Sequence, residues 1–216
     1  SSQSVELYPY AQITRNKVPD DIQNFYISHE GFIGVFDEEL KEDDYDDVEE
    51  KKIVREANEG WFGITDKYWM TALVPKSGEN FKSTFLYQDA FKANYILNKS
   101  TTIGPSSSNA NEVRLFVAAK EVETIDSYAA DQNIKKLDLV IDWGWFYFFT
   151  KPLFFIIDYL FKISGNFGIA IVLITIGIRL LFFPLANYSF RSMAKMKAVQ
   201  PEMVRLKELH KEDKMK

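Results

Sequence analysis

Among the residues able to do chemistry, one stands out by where it sits. Arg179 is the single charge in "FGIAIVLITIGIRLLFFPLA", residues 167–186. As a helix this run would rise roughly 30 Å, the thickness of a bilayer's hydrocarbon core. Insertion scales put an arginine at mid-bilayer at roughly 2.5–3.5 kcal/mol unfavourable, so the charge needs an escape. It could snorkel toward the headgroups, since a basic flank follows about three turns later. It could pair with an acid, but the run contains none, so that acid would sit on another helix. It could instead face a water-filled cavity inside the membrane, hydrated and able to attract an anionic ligand. The residues alone weigh these three evenly. Gly177 and Pro184 on either side point to local distortion or close helix approach.

The other candidates for chemistry are thin. The two histidines are His29, in an expected strand, and His210, on an apolar stripe. Neither sits in a Ser/His/Asp arrangement or metal-type spacing, and no Gly-rich phosphate loop occurs. With no cysteine there are no disulfides and no thiolate metal sites. The acidic run "DEELKEDDYDDVEEKK" (37–52) lacks the internal glycine turn of an EF-hand and reads as a solvated loop or strand edge. "NKS" at 98–100 is a formal but weak glycosylation sequon. No catalytic residue, metal or cofactor is expected, and the chain does not read as an enzyme. Nor is direct nucleic-acid reading expected.

The elements that must position Arg179 divide sharply by charge. Residues 1–142 carry 15 Lys+Arg against 26 Asp+Glu, whereas residues 143–216 carry 11 against 5. That asymmetry points to an acidic soluble domain joined to a membrane part. Residues 1–142 read as β-rich. "SVELYPYAQI", "DIQNFYISHEGFIGVF", "KYWMTALVPK", "STFLYQDAFKANYIL" and "EVRLFVAAKEV" are short runs rich in aromatic and β-branched residues. Pro/Gly/Asn/Ser clusters separate them, as in a sandwich or barrel. "TIDSYAADQNIKKLDLVID" reads as a short helix and a last strand leading out.

Residues 143–164 change character. Trp143 and Trp145 suit a headgroup-level aromatic belt. Pro152 fits the first turn of a following helix. Lys151, Asp158 and Lys162 then form one narrow polar stripe among Phe, Leu, Ile and Tyr. Such a helix can lie in the membrane interface; a second spanning segment is the alternative. After "SGN", residues 165–190 hold the transmembrane run. Basic residues crowd its C-terminal side, so that side is cytoplasmic by the positive-inside rule and the acidic domain lies outside the cytoplasm. In 191–216, Met196, Val199, Met203 and Leu206 recur at three-four spacing, with His210 next. This is the seam of a coiled coil or helical hairpin, or else a basic helix on anionic lipid. Pro201 marks a kink or a fresh start. With no initiator Met and no stop signal at "KELHKEDKMK", the chain reads as an internal piece of a longer protein.

"DWGWFYFFTKPLF" and "GNFGIAIVLITIGIRLLFFPLANYSFRSMAKMKAVQPEM" resemble the YidC-type membrane protein insertases of Gram-negative bacteria, relatives of the mitochondrial Oxa and chloroplast Alb insertases. "GWFGITDKYWMTALVP" is similar to that family's periplasmic β-sandwich, which is related in shape to galactose mutarotase. The likeness runs from about residue 20 to the end; residues 1–20 and the acidic run match poorly. The resemblance implies a bacterial inner-membrane insertase and chaperone, with residues 1–164 on the periplasmic side. It implies that Arg179 lines a hydrophilic groove, that 143–164 is the interfacial helix, and that 191–216 is the first arm of a cytoplasmic hairpin. The implied partners are nascent membrane proteins and the lipid bilayer, with a Sec translocon and the ribosome as further candidates. An N-terminal anchor, the first part of the sandwich and the remaining helices would lie outside this chain.

Two rivals come from other classes. One is a carbohydrate-binding, mutarotase-like role of the exported domain, for which Trp61, Tyr68 and Trp69 supply aromatics. At alternating strand positions those are more often core. The other is a sensor that signals through its basic cytoplasmic helix.

Overall fold

The computed structural model describes residues 4–20, 22 and 28–209, and within the last helix it leaves the side chains of 198, 204 and 206–209 undescribed. Expected features on residues 21, 23–27 and 210–216, His210 among them, lie outside the described residues. The chain divides into two units, Ser1–Gly144 and Trp145–Lys216.

The first unit begins with strands β1 (Val5–Leu7), β2 (Tyr10–Arg15), β3 (Gly31–Phe36) and β4 (Glu39–Asp44), then helix α1 (Tyr45–Glu50). Strands β5 (Ile53–Ala57), β6 (Gly60–Thr65), β7 (Trp69–Pro75) and β8 (Phe81–Gln88) follow. The unit closes with β9 (Ala90–Leu97), β10 (Thr101–Ile103), β11 (Val113–Ala119), helix α2 (Val122–Asp131) and a 3-10 turn at Leu137–Val140. A five-stranded sheet has the order β11-β7-β6-β3-β4, a four-stranded one the order β2-β9-β8-β5, and β1 pairs with β10. Every pairing described is antiparallel.

Strand β3, "GFIGVF", shows why these residues make this architecture. It is buried along its whole length, because both faces are covered. With a period of two, Phe32 and Phe36 point into an aromatic core with Phe62 of the neighbouring β6 and with Phe81, Phe85 and Phe91 of the four-stranded sheet. Ile33 and Val35 point the other way, into a second core with Trp61, Met70, Ile125 of α2 and Leu137. Burying each such side chain stabilises the fold by roughly 1.5–3 kcal/mol before entropy is counted. At the start of β6, Gly60 has φ +133, and a Cβ there would lie 1.8 Å from the Val35 carbonyl oxygen. Only glycine fits that approach.

One ion pair ties the two sheets together. Arg55 of β5 donates two hydrogen bonds to Asp43 of β4, at 2.6 and 2.9 Å. Its guanidinium lies 5.6 Å from the ring centres of Phe36 and Phe85.

Several expectations need correction. The acidic run is an edge strand, as anticipated, but it continues into α1, closed by a reciprocal Asp44/Asp47 capping box. Among the described residues no strand follows α2; Leu137–Val140 is a 3-10 turn whose Leu137 and Val140 are buried. His29 lies just before β3, not within a strand. Of the three aromatics, Trp61 is core, with its indole donating to the Lys135 carbonyl at 3.2 Å, whereas Tyr68 and Trp69 are exposed.

The second unit holds helices α3 (Tyr147–Ser164) and α4 (Phe167–Leu209). "SGN" both stops one helix and starts the next. Gly165, at φ +65, donates its N–H to the Phe161 carbonyl at 2.8 Å. The Asn166 side chain accepts from the N–H groups of Gly168 and Ile169, at 2.8 and 3.3 Å, which caps α4. Pro152 sits beyond the first turn of α3, which begins earlier than its sequence suggests. The Phe146 carbonyl closes that first turn by accepting from Phe149 and Thr150, at 2.7 and 3.0 Å.

Candidate functional site

Helix α4 is one unbroken rod of 43 residues, with Pro184 and Pro201 inside it. At 1.5 Å per residue it is about 64 Å long, roughly twice the hydrocarbon thickness. Phe167–Met203 is apolar enough to cross a membrane by length and composition, with a mean hydropathy of 2.4 in its most apolar window. Only 6% of that window is buried. A core helix of a soluble protein would be mostly covered, so this helix does not read as one.

Arg179 lies on the open side of α4. Ala170 is fully buried and Ile174 half-buried, near the turn where α4 packs on α3. From Ala170 to Arg179 the helix makes about two and a half turns, which puts Arg179 on the opposite side. Its side chain is exposed. No acid occurs between Asp158 and Glu202, and among the described residues none pairs with Arg179. Asp158 is taken by Lys162, at 2.8 Å. One turn before the arginine, the Thr175 hydroxyl donates to the Ile171 carbonyl at 2.7 Å. A Cβ on Gly177 would meet nothing within 4 Å among the described residues. Pro184 has no N–H for the Leu180 carbonyl, yet the helix continues through it.

The remaining predicted residues fall into three places. Trp143 belongs to the first unit, half-buried, its indole donating to the Asp138 carbonyl at 3.2 Å. Trp145 precedes α3 and is 93% exposed. On α3, Asp158 and Lys162 pair, and the Lys151 ammonium lies 5.7 Å from the Tyr147 ring centre. An apolar groove beside Pro152 is lined by Tyr147, Phe148, Lys151, Phe155 and Ile156. On the far half of α4, Met196, Val199 and Met203 are exposed, and the side chain of Leu206 is not described. Arg191, Lys195, Lys197 and Arg205 stand exposed on the same half.

Sequence reasoning did not find the polar end of the first unit. There Asp66 accepts from the Arg15 guanidinium, and from the Tyr45 hydroxyl at 3.3 Å. Burial, with Asp66 adding to it, pushes the Tyr45 phenol far above its ordinary value. The Lys120 ammonium donates to the Thr65 hydroxyl at 3.1 Å, and burial pulls its pKa down despite Glu30, Asp142, Asp66 and Glu42 around it. These residues are far apart in sequence, so no local pattern signals them. They also weigh against sugar chemistry at Tyr68 and Trp69, because the nearest carboxylate, Asp66, is already engaged on both oxygens. A second cleft, between Glu38, Glu59, Arg114 and Lys135, has a volume of about 50 Å³, too small for a sugar ring.

An antiparallel sheet domain joined to a long, uncovered apolar helix defines a membrane protein with a domain outside the bilayer. Comparison with known proteins sharpens that class. The family model described as YidC periplasmic domain matches residues 1–156, and that described as 60Kd inner membrane protein matches residues 159–216. A relative from Pelagibacter ubique (strain HTCC1062), named membrane protein insertase YidC, is 54% identical over 216 residues, covering 100% of this chain and 38% of its own. Relatives of the same name from Brucella melitensis and Methylorubrum extorquens are 42% and 40% identical. These alignments cover 99% and 100% of this chain and 36% and 37% of theirs. The chain belongs to the YidC family of inner-membrane proteins, with a β-rich periplasmic domain, and spans under two-fifths of the length of these relatives.

Proposed function

We propose that this chain is the part of a membrane protein insertase and chaperone that carries the periplasmic domain and one wall of a hydrophilic groove. Arg179 is the working charge of that groove. The observation that carries the reading is a lone arginine within an apolar span, uncovered on the side away from α3, in a chain of this family. Further helices of the full-length protein would face that side and enclose water around the guanidinium.

The mechanism follows from electrostatics. A short hydrophilic tail of a nascent membrane protein enters the wet groove, and an acid in the tail is drawn to Arg179. The hydrophobic segment then passes along the apolar rim into lipid, with the membrane potential drawing negative charge outward. Water in the groove lowers the cost of moving polar groups, and no covalent bond changes. The bilayer is the second partner, and the Sec translocon and the ribosome are further ones in the same reading.

The same reading gives the neighbouring elements their places. Helix α3 lies in the periplasmic interface, with Lys151, Asp158 and Lys162 toward water and Trp145 among the headgroups. The stretch 165–190 crosses the bilayer. Residues 191–216 form the first arm of a cytoplasmic hairpin, and Met196, Val199, Met203 and Leu206 await the second arm. The boundary inside α4 is one of environment, since the helix itself has no break.

A complementation assay with the full-length protein tests the role of the charge. Arg179→Lys is expected to sustain growth on depletion of the wild type, and Arg179→Ala to fail or grow poorly. Equal growth of the alanine variant would remove the electrostatic role.

A further inference from the structure

We infer that Asp142 is the bolt of a latch that holds residues 142–144 against the polar end of the sandwich. The inference rests on contacts inside the first unit and not on the insertase reading.

The bolt is one carboxylate with two jobs. Its Oδ2 accepts from the backbone N–H of His29 at 3.3 Å, across 113 residues of sequence. Its Oδ1 accepts from the N–H of Gly144 at 2.8 Å, closing a turn in which Gly144 takes φ +70. One side chain thus ties the outgoing segment both to the entry of β3 and to itself.

The keeper on the sandwich side is firmly set. His29 is 11% exposed at its side chain, and its ring lies between two acceptor oxygens. Nε2 lies 2.9 Å from the Phe32 carbonyl oxygen, and Nδ1 lies 3.4 Å from Asp44 Oδ1. The Phe32 side chain is in the aromatic core, which anchors the chain three residues after the donor that Asp142 grips.

Charge around the bolt is unbalanced toward acids. Glu30, Glu42, Asp44 and Asp66 share this end of the sandwich with Asp142. Partial desolvation, with Asp142 and Asp44 adding repulsion, pushes the Glu42 carboxyl up. Lys120 opposes this crowding. It is fixed by its donation to Thr65, which is buried, and by its own N–H to the Tyr68 carbonyl at 2.8 Å.

Hydrogen exchange on the full-length protein in lipid nanodiscs tests this, because Gly144 and His29 carry the two protected amides. Asp142→Ala is expected to speed exchange at both by about tenfold or more, with β3, β6 and β7 unchanged. Unchanged exchange in Asp142→Ala, or acceleration spread evenly through the strands, would overturn the latch.

Discussion

At the scale of single residues, buried or crowded charges have the largest expected effects. Arg55 is 21% exposed and its partner Asp43 is 12% exposed, and the pair spans the two sheets. Arg55→Ala leaves that carboxylate stranded and removes packing on Phe36 and Phe85, so the sandwich should lose about 3 kcal/mol or more in urea unfolding. Arg55→Lys should restore little, because an ammonium cannot make the two parallel bonds. Glu42 behaves in the opposite sense. Its carboxyl is pushed up in the folded protein, so its ionised form costs stability, and that cost appears as pH rises through the folded value. Glu42→Gln should therefore raise the melting temperature slightly at about pH 8 and change nothing near pH 3. Arg179 is legible in the sequence because a charge in an apolar run contradicts its surroundings. The Asp142–His29 contact is not, because each residue has an ordinary neighbourhood in sequence and the two meet only through the fold.

At the scale of elements, periodicity is readable wherever one face is wet. Strands β8 and β9 alternate buried and half-buried positions and read in the sequence as one run, split by Asp89 at φ 59. Strand β6, "GWFGIT", is buried throughout after its first residue, so no alternation marks it, and it is not among the runs that read as strands. In the sequence Leu137, Leu139 and Ile141 alternate as in a strand, which explains the mistaken expectation there, whereas the 3-10 turn buries Leu137 and Val140, three residues apart. For α3 the polar stripe is visible from spacing alone, whereas the helix start is not, since Phe146 makes its cap through the backbone. Its proposed place in the interface has a direct test. Spin labels at 148, 155 and 161 of the full-length protein should report one shallow depth along the whole helix. A steady change in depth from 148 to 161 would mean that α3 spans.

At the scale of the whole molecule, the central claim is that a charge set in a wet groove draws acidic segments of its substrates into the membrane. The fold supports it through one long helix, α4, with α3 on one side and Arg179 on the other. The charge asymmetry fits the same picture, with the basic half following the span and the acidic half preceding it. The most direct measurement is insertion into proteoliposomes by the full-length protein, using a single-span substrate whose exported tail is either acidic or neutral. With wild type and with Arg179→Lys, the acidic tail should insert faster than the neutral one. With Arg179→Ala that preference should disappear, through loss of the acidic substrate's rate by about tenfold. If Arg179→Ala keeps the preference for the acidic tail, the arginine is not the charge that does the work.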